Sequence, residues 1–169
     1  YGSSGSGSTN HLGGELLAAQ SGTQMLHVPY KGFAPALTAL LAGEIDFVVG
    51  SASSVLSNVQ AGKMRVIAMA APRRWSGLPD TPTSGEQGMP AYDMSSWAGI
   101  IGPAGLPAEV VERVHADTQK VVQLPAVRKT FEDLGGEPRS ITPQEMATLM
   151  ANELKQWTQV VNQAKIPKL

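Results

Sequence analysis

The chain opens with Tyr1-Gly2-Ser3-Ser4-Gly5-Ser6-Gly7-Ser8-Thr9-Asn10-His11 and runs directly into Leu12-Gly13-Gly14-Glu15-Leu16-Leu17-Ala18-Ala19. Glycines in the first stretch let successive backbone N–H groups turn towards one point, and leucines in the second stretch recur at helical spacing. The pattern predicts a loop that opens onto the N-terminus of a helix.

Such a helix N-terminus carries unpaired N–H groups and a positive partial charge, so it favours an anion. The loop adds hydroxyl donors but contains no lysine or arginine. Because each hydrogen bond to a charged group contributes roughly 1.5–3 kcal/mol net, three or four donors can hold one carboxylate without a cation. We therefore predict a carboxylate site formed by Ser4, Gly5, Ser6, Gly7, Ser8 and Thr9.

The same Gly/Ser composition is also typical of flexible linkers and engineered tags, and composition alone leaves that interpretation open. Nucleotide binding is disfavoured, because no Gly-Lys-Ser/Thr follows the glycines. In addition, Gly5-x-Gly7 is followed by Asn10 where the dinucleotide fingerprint requires glycine.

Composition sets broader limits on the function. The chain has 169 residues, of which 42% are hydrophobic, a net charge of −1 and no cysteine. These values are typical of a globular chain, and the absence of a basic stripe argues against a nucleic-acid partner. His27 and His115 share no metal-ligand spacing with His11, so no metal site is predicted. No cofactor is predicted either.

Beyond the loop, short apolar runs alternate with helical patterns. We predict strands at residues 25–28, 45–49 and 65–70, and helices at 34–42 and 51–61. This alternation indicates a parallel sheet, in which ligands bind at the carboxyl ends of the strands. The residues that follow the first two strands are therefore further candidates for the site: Tyr30, Lys31, Gly50 and Ser51.

The second half of the chain is mainly helical in pattern. Ser84 to Gln87 and Thr142 to Glu145 both fit a capping box, and each predicts the start of a helix. Between them, Asp93 to Gly102 is predicted as a strand. Helices are also predicted after Pro107, with valines on one face, and again from Pro125.

Several motifs together resemble a known family. They include His27-Val28-Pro29-Tyr30-Lys31-Gly32, Leu40-Leu41-Ala42-Gly43-Glu44-Ile45-Asp46, Ala61-Gly62-Lys63-Met64-Arg65, Ser95-Ser96-Trp97-Ala98-Gly99 and Pro103-Ala104-Gly105-Leu106-Pro107. With the opening loop, and in this order, they resemble the Bug family, the periplasmic receptors of tripartite tricarboxylate transporters. The resemblance covers essentially the whole chain. It implies a periplasmic solute-binding receptor, not an enzyme, with a small carboxylate as ligand and membrane permease subunits as partners.

The resemblance also implies a fold. Such receptors are α/β proteins of the periplasmic-binding-protein-like (type II) class, with two lobes built from parallel-rich sheets flanked by helices. Because they are longer than this chain, we expect a C-terminal fragment in which residues 1–94 form most of the second lobe and 95–169 the end of the first. Apolar side chains would be left facing water, namely Val110, Val114, Met146, Leu149 and Trp157, and would favour pairing with another copy or with the missing N-terminal part.

Two positions carry family-specific expectations. The resemblance places His11 at the histidine that follows the Ser/Gly motif, where it either pairs with the carboxylate or donates to a carbonyl in the first helical turn. Members commonly have an Asp-Asn-type pair where this chain has Gly50 and Ser51. Losing that carboxylate removes an acceptor for ligand amines and reduces repulsion of a second ligand carboxylate, which favours dicarboxylates over amino acids or amides.

Two other functions stay open from the residues alone. A ligand sensor without a permease would need the same cleft, and an enzyme could use the loop as an oxyanion or phosphate cradle. The sequence gives the enzyme little support, since it lacks Gly-x-Ser-x-Gly, His-Glu-x-x-His and any cysteine nucleophile.

Overall fold

A computed structural model describes residues 1–166, which form a helix-rich α/β arrangement. Two short strands are present, β1 (Gly2–Ser3) and β2 (Val28–Pro29). The helices are α1 (Thr9–Ser21), α2 (Phe33–Leu41), α3 (Ala52–Gln60), α4 (Ala108–Val121), α5 (Pro125–Asp133) and α6 (Pro143–Gln163). In this part of the chain, no helix combines the length and the apolar character that crossing a membrane requires. The last residues of the predicted segment 95–169, residues 167–169, lie outside the described range.

Three chain segments run side by side in the same direction. Strand β1 lies between the other two: Gly2 and Ser3 pair in parallel with Val28 and Pro29 of β2, and Gly2 also forms a parallel bridge to Val48. Each of these segments leads into one of the helices α1, α2 and α3. The N-termini of these three helices therefore lie at the same edge of the small sheet, as expected for parallel strands.

The strands are shorter than predicted from the apolar runs. The expected strand at residues 45–49 is reduced to the bridge at Val48, the one at 65–70 to a bridge between Met69 and Thr83, and the one at 93–102 has no regular structure. An apolar run indicates burial, but a strand also requires a partner with free N–H and C=O groups. Among residues 1–166 these segments find such partners at only a few positions.

The helix predictions are confirmed, with one correction. At the start of α6, Thr142 Oγ1 accepts a hydrogen bond from the Glu145 N–H at 3.2 Å, and the Glu145 carboxylate accepts from the Thr142 N–H at 2.7 Å, which completes the capping box. The helix predicted from Ser84 is wrong. The reciprocal pair there joins Thr83 and Glu86, and a series of turns follows in place of a helix.

The core that supports the sheet edge packs around α1. Leu16, Tyr92 and the α6 residue Val160 are buried together, and the half-buried side chains around them are Leu12, Leu17, Ala70, Met89, Met94 and Trp157. The Tyr92 hydroxyl donates to the Gly13 carbonyl oxygen at 3.1 Å, and burial raises the pKa of Tyr92 to about 12. Helix α1 is thus held between α6 and the segment that carries Tyr92.

Helix α4 leaves apolar side chains exposed. Val110 and Val114 have 39% and 42% of their surface accessible, and neither α4 nor α5 contains a buried residue. The expected exposure of these two valines is confirmed. The same expectation is wrong for Met146, Leu149 and Trp157 on α6, which are half-buried. Trp157 packs against the core around α1, and the end of the Met146 side chain lies close to Gly99.

Candidate functional site

The predicted site residues come together at the edge where the three parallel segments end. The loop of residues 4–8, here called the Ser/Gly loop, follows β1 and lies beside the turn that follows β2. The Tyr30 N–H donates to the Ser3 carbonyl oxygen at 3.0 Å, and the Gly32 N–H donates to that of Ser4 at 3.2 Å. Lys31 between them is exposed. Tyr30 and Lys31 thus border the Ser/Gly loop, as predicted from the strand ends.

The third segment is joined to this surface through helix α1. The Asn10 side-chain amide donates to the Val49 carbonyl oxygen at 2.5 Å, directly before Gly50 and Ser51. Both of these residues are exposed. All the residues predicted from the sequence therefore lie along one edge, apart from His11, which lies below it.

The electrostatics of this edge come mainly from backbone groups. Helix α1 is capped by Ser8, whose Oγ accepts from the His11 N–H at 3.3 Å. Helices α2 and α3 have no side-chain cap, and none of the three helices has an acidic residue in its first turn. Three positive helix ends thus meet without a neighbouring first-turn carboxylate, which favours an anion at this edge.

Two of the predicted hydroxyl donors are already used inside the loop. Ser4 Oγ donates to Asn10 Oδ1 at 2.5 Å, and Ser8 Oγ donates to the Gly5 carbonyl oxygen at 2.7 Å. A serine hydroxyl has one proton, so neither can donate to a second acceptor while these bonds persist. Ser4 and Ser8 therefore hold the loop in shape and present acceptor lone pairs to their surroundings.

Most of the loop N–H groups are used in the same way. The Gly5 N–H donates to Ser3 Oγ at 3.1 Å, the Gly7 N–H to His11 Nδ1 at 3.0 Å, and the Ser8 N–H to the Gly5 carbonyl oxygen at 3.2 Å. These bonds give the loop one defined conformation and argue against the linker interpretation. Ser6 and Thr9 differ, because both are exposed and their N–H and hydroxyl groups donate to nothing within residues 1–166.

His11 is buried beneath the Ser/Gly loop. The residue has 6% of its surface accessible; its ring accepts the Gly7 N–H bond on Nδ1 and stacks on the His27 ring with 3.7 Å between centroids. Burial lowers the pKa of both histidines, and the nearby Glu15 carboxylate opposes this effect. A neutral His11 therefore supports the loop from below, and donation to a carbonyl in the first helical turn is not among the bonds it makes within residues 1–166. Its contact with a ligand carboxylate stays a prediction.

A buried polar cluster continues below this histidine pair. His27 Nε2 lies 2.6 Å from Ser3 Oγ, and Ser3 has no accessible surface. On the other side, the Tyr1 hydroxyl donates to Glu15 Oε1 at 2.6 Å, and burial is the main cause of the raised pKa of Tyr1. These bonds fix β1 and the start of α1, the two elements that flank the loop.

Gly50 has a steric reason to lack a side chain. A Cβ added there would collide with the Phe33 ring at the start of α2. The space that an acidic side chain would need next to this backbone is thus filled by Phe33. The packing of this edge therefore favours glycine at position 50.

Asn10 is the site residue that sequence reasoning missed. From the sequence it served only to exclude a dinucleotide motif, yet its amide links the Ser/Gly loop to Val49. Its position just after the helix cap Ser8 marks it as a first-turn residue, but the long-range bond to Val49 leaves no local pattern in the sequence.

Comparison with known proteins identifies the family. The family model described as the tripartite tricarboxylate transporter family receptor matches residues 1–166. The chain belongs to this receptor family. The resemblance noted from the sequence motifs is confirmed, and the family is one of receptors, not of enzymes.

Relatives of the receptor family extend well beyond this chain. A UPF0065 protein from the tcbD-tcbE intergenic region of Pseudomonas sp. (strain P51) is 33% identical over 162 residues, which are 95% of this chain and 48% of that protein. Rpa4515 of R. palustris, solved with adipate, is 31% identical with a TM-score of 0.82, covering 100% of this chain and 56% of that one.

A third relative is MatC of Rhodopseudomonas palustris, solved with bound malate, with 29% identity, a TM-score of 0.71, and coverage of 92% of this chain and 54% of that one. The chain thus spans about half the length of each of these proteins. The likeness to them confirms the predicted α/β fold of the periplasmic-binding-protein type. Within residues 1–166, no three acidic or histidine side chains are grouped as metal ligands would be.

Proposed function

We propose that this chain supplies one side of the binding cleft of an extracytoplasmic receptor, which captures a small dicarboxylate for a tripartite transporter. The observation that carries the proposal is the meeting of three helix N-termini at one edge, without an acidic residue in any first turn. Lys31 adds a full positive charge beside them. An edge of this kind stabilises a carboxylate and offers little to a cation.

The contacts divide into two groups. Ser6 and Thr9 face the ligand, because their donors are unused among the described residues and their side chains are exposed. Tyr30, Lys31, Gly50 and Ser51 form the rim, whereas Ser4, Ser8 and His11 hold the loop. A carboxylate that accepts three or four such bonds gains roughly 1.5–3 kcal/mol from each.

The class of ligand follows from the Gly50–Ser51 turn. Without a carboxylate there, and with Phe33 filling the space for one, the turn offers no acceptor charge to a ligand amine. The adipate and malate bound by two structural relatives are both dicarboxylic acids. We therefore favour a dicarboxylate over an amino acid or an amide.

The rest of the receptor would complete the cleft. Residues 1–94 would form most of one lobe and 95–169 the end of the other, with the boundary near Met94, in a periplasmic protein that delivers its ligand to membrane permease subunits. The exposed valines of α4 support this division, because a covering lobe or a second copy would bury them. Light scattering on the 169-residue chain should show association, and a monodisperse monomer at micromolar concentrations would contradict the division.

Calorimetry on the intact polypeptide that carries these residues tests the function. Succinate, malate and adipate should bind, and the half-amide succinamate should bind more weakly, since it lacks the second carboxylate. Lys31→Gln should weaken binding about two- to fivefold, and added salt should reduce this difference.

Lys63→Gln is the matched control, because Lys63 is equally exposed but lies beyond the far end of α3, roughly 13 Å along the helix. Binding of none of the three acids, or equal binding of succinamate, would refute the proposal.

A further inference from the structure

Asn10 uses both ends of its side-chain amide to join two parts of the edge. Its Oδ1 accepts from Ser4 Oγ in the Ser/Gly loop, and its Nδ2 donates to the Val49 carbonyl oxygen. Within residues 1–166, the bond to Val49 is the one side-chain hydrogen bond that connects residues 1–11 with the turn at 49–51. The two parts of the edge that would contact a ligand are thus tied through one amide.

The neighbouring packing leaves this turn few other positions. A Cβ placed on Gly13 would come within 2.8 Å of Val49 Cγ1, so the backbone of α1 lies directly against the Val49 side chain. On the other flank, the Phe33 ring lies against Gly50. The Val49 carbonyl between these contacts is held by Asn10. Asn10, at the start of α1, therefore sets the distance between the Gly50–Ser51 turn and the Ser/Gly loop.

The same amide decides the hydrogen-bonding role of Ser4. By accepting the only hydroxyl proton of Ser4, Asn10 turns Ser4 Oγ into an acceptor towards the cleft. A ligand carboxylate is itself an acceptor and is therefore directed away from Ser4, towards the free donors of Ser6 and Thr9. Asn10 thus acts on the ligand through other groups.

We propose that Asn10 is a positioning residue that sets ligand length: it fixes the separation between the Ser/Gly loop and the Gly50–Ser51 turn, and thereby selects among dicarboxylates of different chain length. The inference rests on the proposed function, since it assumes that a dicarboxylate lies between these two parts. A purely structural asparagine would change stability and overall affinity, but would leave the preference among ligands as it was.

The test compares affinities for malate and adipate, which have four and six carbon atoms. In the intact polypeptide, Asn10→Ala should weaken binding of the preferred acid about tenfold, through the loss of two hydrogen bonds that hold the site. The ratio of the dissociation constants for malate and adipate should change by at least about threefold, in the direction of equal affinity. Asn152→Ala, an exposed asparagine within α6, should change neither value.

Two further variants separate positioning from folding. Asn10→Asp keeps the acceptor for Ser4 but cannot donate to Val49, so it should lose the length preference even if Asn10→Ala fails to fold. Ser4→Ala combined with Asn10→Ala should be less damaging than the sum of the two single changes, because both remove the same bond.

The outcomes separate this inference from the function on which it rests. Failure of the unaltered protein to bind either acid would overturn the proposed function and this inference with it. Normal binding by the unaltered protein, with an unchanged malate-to-adipate ratio in both Asn10 variants, would overturn the positioning role alone.

Discussion

Ser6 and Ser8 lie two residues apart in the same loop, and replacing each by alanine should have opposite consequences. Ser8 caps α1 and donates to the Gly5 carbonyl oxygen, whereas Ser6 is exposed and its hydroxyl donates to nothing within the described residues. Ser8→Ala should therefore act on folding, and Ser6→Ala on ligand binding.

The magnitudes follow from the bonds that are lost. Removing a serine cap costs about 0.5–2 kcal/mol, so Ser8→Ala should lower the free energy of unfolding by about 1–2 kcal/mol. For a chain of this size that corresponds to a fall in Tm of roughly 3–6 °C. Ser6→Ala should change stability by less than about 0.5 kcal/mol. It should weaken carboxylate binding roughly tenfold or more, the value of one hydrogen bond to a charge.

Two measurements on the same preparations of each variant separate an effect on folding from an effect on ligand binding. Urea denaturation followed by circular dichroism gives the free energy of unfolding, and calorimetry with the preferred dicarboxylate gives the dissociation constant. An unchanged dissociation constant for Ser6→Ala would refute the assignment of the ligand-facing donors. An unchanged unfolding midpoint for Ser8→Ala would refute its role as a helix cap.

Three other variants or conditions test the surrounding structure. Burial lowers the folded-state pKa of His11, so the unfolded chain takes up a proton at a higher pH than the folded chain does. The free energy of unfolding should therefore be at its full value above about pH 6.5 and fall as the pH drops below that. The difference between the urea midpoints at pH 7.5 and pH 5.5 should be smaller in His11→Gln than in the unaltered protein. Thr142→Ala should lower the free energy of unfolding by about 1 kcal/mol, whereas Thr148→Ala, within the same helix, should leave it nearly unchanged; equal losses would count against the capping box. Gly50→Ala should lower the free energy of unfolding by about 1–3 kcal/mol, because its Cβ meets the Phe33 ring. Adding Phe33→Leu should recover part of that loss in thermal unfolding. A double variant no more stable than Gly50→Ala would contradict this explanation.

Local patterns in the sequence were sufficient for most helices and for placing most of the candidate residues along one edge. Thr142 to Glu145 marks a helix start through bonds within four residues, and the placement of Lys31 and Ser51 follows from the rule for parallel strand ends. The lobe division and the ligand contacts stay predictions, since no contact among the described residues tests them.

Features that depend on distant partners were not visible in the sequence. The strand predicted at 65–70 shrinks to one bridge, because pairing depends on what lies beside it and not on its own apolar character. The bond from Asn10 to Val49 spans 39 residues of chain, and the stacking of His11 on His27 spans 16. Serine hydroxyls likewise look alike in a sequence, and only the structure shows which protons are already in use.

The internally bonded Ser/Gly loop has a consequence for how quickly a ligand can be captured. Five glycine and serine residues in a free chain would sample many conformations, and ordering them at the moment of binding would oppose affinity by roughly 1–2 kcal/mol per residue. Here the bonds from Gly5, Gly7 and Ser8 impose that order during folding. Association can therefore proceed at the rate of a rigid surface, and ligand affinity should depend little on conformational search by the loop.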